Sequence, residues 1–357
     1  MKDNIPSMQL PGEKVSQVPR TTLIWLVLII LLIAFFLLDI FLGSVSLHPS
    51  EVLKVLSGNG DSDATAIILK FRIPKALTSV LVGIALSVSG IMMQTIFRNP
   101  MAGPDVMGIS SGAGLGVALV ILGFSPVLTP DKLHGLGNWA IVVSSWIGAG
   151  VVMLLVMFIS VRIREILTVL ILGIMLSSGI SAVVSVLQYF SSETLLKAYV
   201  IWTMGSLGNL TSEQLQVLSI TILAGLTMSL LSVKMLNALL LGEHYASSIG
   251  VNVRLARVLV FTSTSILAGS VTAFCGPIGF VGIAVPHIAR YLVRSSRHGI
   301  LIPATILTGS IIMLFSDIVS QLPGTERLLP VNSVTSFIGI PVVIWVILRN
   351  RKISVSV

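Results

Sequence analysis

The stretch that decides the fold runs from residue 258 to residue 289 and reads VLVFTSTSILAGSVTAFCGPIGFVGIAVPHIA. None of its 32 residues is Asp, Glu, Lys or Arg. A single membrane span needs roughly 20 apolar residues, so the stretch is too long for one span and short for two. Gly276-Pro277 in its middle interrupts helical hydrogen bonding, because proline has no N–H donor. The stretch therefore predicts two membrane helices, joined by a turn that dips below the membrane surface.

The composition of the whole chain also indicates a membrane protein. Charged residues make up 10% of it and hydrophobic residues 54%, and the mean hydropathy is +1.01. Soluble domains carry about 25% charged residues, so this chain cannot cover a water-facing surface. In lipid, backbone N–H and C=O groups must be bonded within a helix or a closed barrel. The long unbroken apolar runs favour helices, and we predict an all-α polytopic membrane protein.

The apolar runs predict ten transmembrane helices, some of them broken or re-entrant. Of the 22 lysines and arginines, fifteen then fall on the side of both termini and seven on the other, which predicts cytoplasmic termini. The expected organisation is a tail at 1–20, one permease domain at 21–350 with an inner loop at 236–257, and a tail at 351–357. The runs lie at about 21–42, 76–97, 106–124, 138–161, 166–190, 214–233, 258–275, 276–293, 299–320 and 330–348.

Two Gly-Pro segments have similar sequences, and the predicted topology places them on opposite sides of the membrane. Residues 103–109 read GPDVMGI and residues 276–283 read GPIGFVGI. An inverted repeat, with broken helices near a transport pathway, predicts such an arrangement. The alternative is that Gly-Pro pairs are ordinary punctuation in membrane helices.

The same segments supply the predicted pathway and gate. Asn99-Pro100-Met101 joins two spans on the inner side, and we expect it to narrow the cytoplasmic end of the path. A plain tight turn capped by Asn99 is the alternative. The predicted pathway and gate residues are Asn99, Met101, Gly103, Pro104, Gly276 and Pro277.

The inner loop 236–257 is the strongest local signal for a partner. Gly242 and Gly250 divide it into two short helices, and the small residues Ala246 to Ser248 leave a surface that another protein can approach. A plain connector is the alternative, but a connector needs only a few residues. We therefore favour a docking element.

Several chemistries find no support in the sequence. No Gly-Lys dipeptide exists, so a nucleotide-binding loop is excluded, and the five histidines lack metal-ligand spacing. No catalytic cluster points to an enzyme, and no basic cluster with interleaved aromatic residues points to nucleic acid. The intramembrane carboxylates, Asp39 and Asp317, lie near the outer ends of their helices without a mid-membrane partner. Energy for transport is expected from a separate ATPase.

Five stretches of the sequence resemble those of a known family. The loop 236–257 closely resembles the coupling loop of the FecCD family, the permease subunits of ABC importers for iron–siderophore complexes, haem and cobalamin. The resemblance extends from about residue 20 to residue 350. Four further stretches follow the family's order: FRIPKAL at 71–77, the segment 90–112 with NPMAGPDVMGISSG, GPIGFVGIAVPHIAR at 276–290, and LPVNSVTSFIGIP at 329–341.

The resemblance implies an assembly rather than a lone protein. It implies a homodimer in the bacterial plasma (inner) membrane, two cytoplasmic ABC ATPase subunits and an extracytoplasmic substrate-binding protein. ATP and Mg would be bound by the ATPase, and this chain would bind no cofactor. Membrane lipid would surround this chain. An iron chelate (siderophore or haem) is the first expected cargo and cobalamin the second. The alternative from another class is an ATP-independent secondary transporter.

The expected partner contacts lie on opposite sides of the membrane. For the ATPase, Gly242 would turn the chain, Ala246 and Gly250 would form a flat face, and Glu243 would suit the helix dipole and meet a basic ATPase residue. His244 is expected to be a solvated surface residue. For the binding protein, the expected residues are Arg72 and Lys75, with interfacial anchoring as the alternative, and Arg327. Two positions depart from the family pattern: Gln321 stands where an arginine usually follows Asp317, and Leu328 replaces a glutamate.

Overall fold

A computed structural model of the chain describes residues 20–43, 45, 47–123, 130–163, 165–321 and 328–354. Within these ranges the regular secondary structure is entirely helical. The first seven helices are α1 (Arg20–Phe41), α2 (Pro49–Leu56), α3 (Ser62–Ile96), α4 (Ile109–Gly123), α5 (Pro130–Arg162), α6 (Ile166–Phe190) and α7 (Glu193–Thr203). The next seven are α8 (Ser212–Leu231), α9 (Val233–Leu239), α10 (Glu243–Ser248), α11 (Val253–Cys275), α12 (Val281–Val293), α13 (His298–Ser320) and α14 (Val331–Ser354).

Eight helices in the described ranges are long and apolar enough to cross a membrane, namely α1, α3, α5, α6, α8, α11, α13 and α14. The helices α4 and α12 are apolar but shorter, because the Gly-Pro segments before them are not α-helical. These two correspond to the predicted runs 106–124 and 276–293. The chain is thus a multi-pass membrane protein with two broken segments, and the total of ten crossings stays a prediction.

The short helices follow local sequence signals closely. The sequence predicts an amphipathic piece at Pro49 to Leu56 and a short surface helix from Glu193 to Met204, and the structure has α2 and α7 at these places. The prediction that Gly242 and Gly250 divide the inner loop is also confirmed, since α10 lies between them. Both glycines have positive φ, +112° and +86°, a conformation that side chains with a Cβ rarely adopt.

The centre of the molecule is α3, which packs against α8, α11, α12 and α13. Glycines allow two of these contacts to be backbone to backbone. A Cβ at Gly83 would overlap the carbonyl oxygen of Gly309 in α13, and one at Gly90 would overlap that of Gly282 in α12. Close packing of small residues is the usual basis of helix association in lipid, where the hydrophobic effect does not drive it.

A second close pair is formed by α4 and α5. A Cβ at Gly116 would overlap the carbonyl of Ser144, and Gly112 and Gly148 approach each other in the same way. By contrast, α1 and α6 leave most of their apolar side chains exposed. These exposed faces are suited to lipid or to another membrane subunit.

Candidate functional site

The inner loop places a short helix at the end of the molecule that we predict to be cytoplasmic. Gly242 turns the chain between α9 and α10, and Arg98 from the end of α3 lies over it. A Cβ at Gly242 would be 2.5 Å from a guanidinium nitrogen of Arg98. The glycine is therefore needed for its positive φ, whereas the flexible end of the Arg98 side chain can move aside.

The structure corrects the expected face of this loop. Ala246 is fully buried and packs into the main hydrophobic core, so it is not part of an outward surface. Gly250 is exposed, but α10 ends at Ser248, and Gly250 does not lie one helical turn after Ala246 on a common face. The expectation of a flat Ala246–Gly250 face is therefore wrong, because the small side chain of Ala246 is used for packing against the membrane helices.

Beside the exposed polar residues His244, Ser247 and Ser248, the segment 241–250 exposes three large apolar side chains. Leu241, Tyr245 and Ile249 are exposed by 66%, 49% and 55%. We call these three residues the docking face. Their spacing of four residues is readable in the sequence, whereas the predicted face relied on the small residues Ala246 and Gly250. Exposed apolar patches at a watery end of a protein usually mark interaction sites.

The two charged residues of α10 have different surroundings. His244 is exposed, as expected for a solvated surface residue. Glu243 instead forms a two-pronged ion pair with Arg257 of α11, with Nη2 donating to Oε1 at 2.9 Å and to Oε2 at 3.0 Å. The expected contact of Glu243 with a basic ATPase residue stays a prediction, and in this chain its carboxylate is already paired with Arg257, with 27% of the side chain exposed.

The proposed gate segment is held by a histidine of α12. His287 Nε2 donates to the carbonyl oxygen of Pro100 at 2.8 Å. Asn99 Oδ1 accepts from the backbone N–H of Met101 at 2.9 Å, which closes a tight turn. No local pattern marks His287 as a contact of this segment, although it lies within the matching stretch 276–290.

The first Gly-Pro segment, Gly103-Pro104, packs against residues 282–283, which follow the second Gly-Pro segment. Gly103 lies against the side chain of Ile283, and Pro104 lies against Gly282. Gln94 of α3 donates from Nε2 to the carbonyl of Ile283 at 3.1 Å. We call this meeting point, together with His287 and Pro100, the inner junction.

The second break itself lies elsewhere. Gly276, with φ of +75°, approaches the carbonyl of Trp202 at the end of α7 so closely that a Cβ would lie 2.5 Å from it. Residues 276–280 are not helical, and the N–H of Gly279 donates to Oδ1 of Asn332 at 3.0 Å. The structure thus brings Asn99 to Pro104 together with 282–283, but not with Gly276 and Pro277.

At the opposite end, Arg72 is buried, with 7% of its surface exposed. Its guanidinium donates to the carbonyl oxygens of Ile40 at 2.7 Å, Phe41 at 3.0 Å and Val45 at 2.5 Å. Two of these are carbonyls in the last turn of α1, which have no partner within the helix. The geometry therefore corrects the expected docking role of Arg72, because its donors hold the end of α1.

Lys75 lies one turn further along α3 and belongs to a polar cluster. Its Nζ pairs with Asp317 Oδ1 at 3.0 Å, and Gln321 Nε2 donates to both Asp39 Oδ1 and Asp317 Oδ2 at 3.0 Å. Asp39 and Asp317 are therefore partnered, at the ends of α1 and α13 where the sequence places them. Gln321, the departure from the family pattern, bridges the two carboxyl groups.

A cavity of about 830 Å³ opens beside this cluster. Its lining is mixed and includes the polar residues Arg72, Lys75, Asn209, Gln214, Asp317 and Gln321 and the aromatic residues Phe71, Trp202 and Phe274. Lys75 keeps a fifth of its side chain exposed there. Of the three expected docking residues, Lys75 thus remains accessible, and Arg327 lies outside the described residues.

The buried position of Arg72 leads to a test. We expect Arg72→Met to lower the free energy of unfolding by about 2–3 kcal/mol, because carbonyls that accept from a charged donor would lose it. Lys70→Met is the matched control, since Lys70 is an exposed cation of the same helix. Thermal unfolding in detergent measures both. Equal stability of the two variants would contradict the structural role of Arg72.

Comparisons with known proteins agree with this architecture. Residues 30–349 match the profile of the FecCD transport family. The hemin transport system permease protein HmuU of Yersinia pestis is 35% identical over 94% of this chain and 97% of its own length. The vitamin B12 import system permease protein BtuC of Klebsiella pneumoniae is 36% identical over 91% and 93%. A solved structure described as an inward-facing conformation of a metal-chelate type ABC transporter is 29% identical, with a TM-score of 0.79 over 92% of this chain and 99% of that chain.

Proposed function

This chain belongs to the FecCD transport family, and we propose that it is the permease subunit of an ABC importer that moves an iron chelate into the cytoplasm. The chelate would be a siderophore complex or haem, and the location the bacterial inner membrane. The observation that carries the proposal is the family match over residues 30–349, which covers nearly the whole permease domain. The relative named as a hemin permease supports the cargo class.

The proposed assembly contains two copies of this chain, two ATPase subunits and a binding protein outside. The docking face of Leu241, Tyr245 and Ile249 supports the ATPase contact, because an apolar surface at a cytoplasmic end requires a partner. ATP and Mg belong to that ATPase. At the outer end, the accessible Lys75 beside a large mixed cavity supports contact with the binding protein or its cargo.

We propose that the inner junction is the cytoplasmic gate of the pathway. The segment from Asn99 to Pro104 would move together with α12, because His287 and the Gly282–Pro104 contact join them. Gly276 and Pro277 would allow the chain to re-enter the membrane before α12 begins. Backbone that is not helical is tolerated within a membrane where protein or water surrounds it.

Cobalamin is the second candidate cargo. The relatives named as vitamin B12 import permeases are 36% and 32% identical to this chain, values that lie on either side of the 35% identity of the hemin relative. The mixed lining of the outer cavity does not favour one large chelate over another. Only transport measurements separate these cargoes.

We expect ATP-dependent uptake of an iron chelate by proteoliposomes that contain this chain, its ATPase and its binding protein. Labelled haem, a ferric siderophore and cyanocobalamin should be compared, each with ATP and with a non-hydrolysable analogue. Preference for cyanocobalamin would select the second cargo. Uptake by this chain alone, driven by a proton or sodium gradient, would contradict the ABC proposal and indicate a secondary transporter.

A further inference from the structure

Arg257 connects three elements at the inner end of the molecule. It lies in the second turn of α11, and only 8% of its surface is exposed. One guanidinium nitrogen, Nη2, donates to both carboxylate oxygens of Glu243 in α10. The other, Nη1, donates to the carbonyl of Ile163 at 2.9 Å and, more weakly, to that of Ser160 at 3.5 Å. One side chain thus joins α11 to α10 and to the end of α5.

The chemistry of these contacts requires an arginine. Ser160 and Ile163 lie at the C-terminal end of α5, where carbonyl groups lack helical partners and the helix dipole is negative. The Glu243 carboxylate takes both of its hydrogen bonds from Nη2, the other terminal nitrogen of the same group. The planar fork of a guanidinium provides both sets of donors at once, whereas a lysine ammonium is a single point charge.

The Glu243–Arg257 ion pair also lies between the docking face and the membrane helices, so a displacement of the loop acts on it. The docking face turns outward from α10, while Glu243 and Ala246 turn towards the membrane helices. Ala246 contributes apolar packing, which is not directional. The ion pair of Glu243 with Arg257 is directional and lies in a mostly desolvated place, so it resists sliding of α10 against α5 and α11.

We propose that Arg257 is a positioning residue that transmits displacement of α10 to the inner ends of α5 and α11. The inference rests on the proposed function, in which an ATPase moves the docking face. It adds that Glu243 serves the transmission inside this chain and does not contribute to ATPase affinity. Loss of Arg257 should therefore strongly impair transport while ATPase docking is kept. Damage to the docking face should instead impair both.

The test compares Arg257→Gln, Arg257→Lys and Glu243→Gln with Arg254→Gln. Arg254 is an exposed cation three residues earlier in α11, so its variant removes the same charge without touching the link. We expect Arg257→Gln to keep co-purification of the ATPase and ATP hydrolysis within about twofold. Uptake per ATP hydrolysed should fall by at least about tenfold, which lies within the range of known coupling energies. Arg254→Gln should match the wild type.

The other variants give graded results. Arg257→Lys keeps the charge and should fold even if Arg257→Gln does not, yet it cannot satisfy both Glu243 and the α5 carbonyls, so uptake per ATP should fall less. The double variant Glu243→Gln/Arg257→Gln should be no worse than Arg257→Gln, because both changes break one link. Additive losses would overturn the proposal.

A distance measurement separates transmission from a static structural role. The measurement uses a Cys275→Ser background and two pairs of spin labels. Both pairs have one label at Ile201 in α7 as a fixed reference. The second label is at Ser248 in α10 in one pair and at Leu155 in α5 in the other. In the wild type, ATP should change both distances. In Arg257→Gln, the Ser248 distance should still change and the Leu155 distance should not. Changes in both distances would overturn the proposal, as would loss of ATPase binding in Arg257→Gln and Arg257→Lys. A wild type without ATP-dependent uptake would instead refute the proposed function.

Discussion

A glutamate in place of Tyr245 should separate this chain from its ATPase. Tyr245 is the central residue of the docking face and is half exposed. A charge buried there without a partner should weaken association by about 2–4 kcal/mol, or roughly 30- to 900-fold in affinity. Transport should be lost with it, and co-purification of the ATPase with the permease measures the effect directly.

Two further variants make this result specific. Tyr245→Phe keeps the ring and should bind nearly normally, whereas Ile249→Glu should fail in the same way as Tyr245→Glu. The folded state is checked by the elution profile in detergent, which should not change for any of the three. If Tyr245→Glu and Ile249→Glu both kept ATPase binding and uptake, the docking role of this face would be wrong.

Substitutions at the two positions first expected to form the face are less informative. A tryptophan at the buried Ala246 would force the core apart, so its effect on docking could not be separated from unfolding. Gly250 has open space around it, but its φ of +86° strains any residue with a Cβ. Exposed residues of regular conformation, such as Tyr245, avoid both problems.

The second large effect is expected from adding a single methyl group at Gly90. In Gly90→Ala the new Cβ would overlap the carbonyl oxygen of Gly282, which is backbone and cannot rotate away. The cost should reach or exceed the upper end of the roughly 1–3 kcal/mol typical of overpacked cores, because α3 and α12 must move apart. Thermal unfolding in detergent and the yield of monodisperse protein measure it.

Gly179→Ala is the matched control for this prediction. Gly179 lies within the membrane helix α6, and a Cβ there would meet nothing within 4 Å. Alanine in an open helical position should be neutral or slightly stabilising. Equal stability of Gly90→Ala and Gly179→Ala would show that α3 and α12 do not approach each other as described. Because α12 carries the inner junction, partial folding of Gly90→Ala should also impair transport.

Much of this architecture could be predicted because its causes are local. Apolar length and low charge select membrane helices for any arrangement of those helices, and Gly276-Pro277 breaks the chain wherever it lies. The helix α7 was predicted to within one residue, and Gly242 and Gly250 bound α10 as expected. Five stretches in family order then indicated the transport family, which the match over residues 30–349 confirms.

The roles of single side chains could not be predicted in the same way. In a soluble helix the apolar stripe shows which face is buried, but a membrane helix is apolar on all faces, so this signal is missing. The positive-inside count treats Arg72 and Lys75 alike, yet Arg72 holds the end of α1 and Lys75 pairs with Asp317 of α13. Gln321 looked like a missing contact and is a bridge between Asp39 and Asp317.

The sequence by itself determined the class of the protein, the positions of its breaks, the short helix between Gly242 and Gly250 and the family. These depend on residue type and on spacing along the chain, which act whatever the rest of the molecule does. Only the tertiary structure decided that Ala246 points inward and the docking face outward, that Glu243 is bound by Arg257, and that Pro104 meets Gly282. Glu243 and Arg257 are 14 residues apart, and Pro104 and Gly282 are 178 apart. Such contacts are set by the packing of whole helices, which no local pattern encodes.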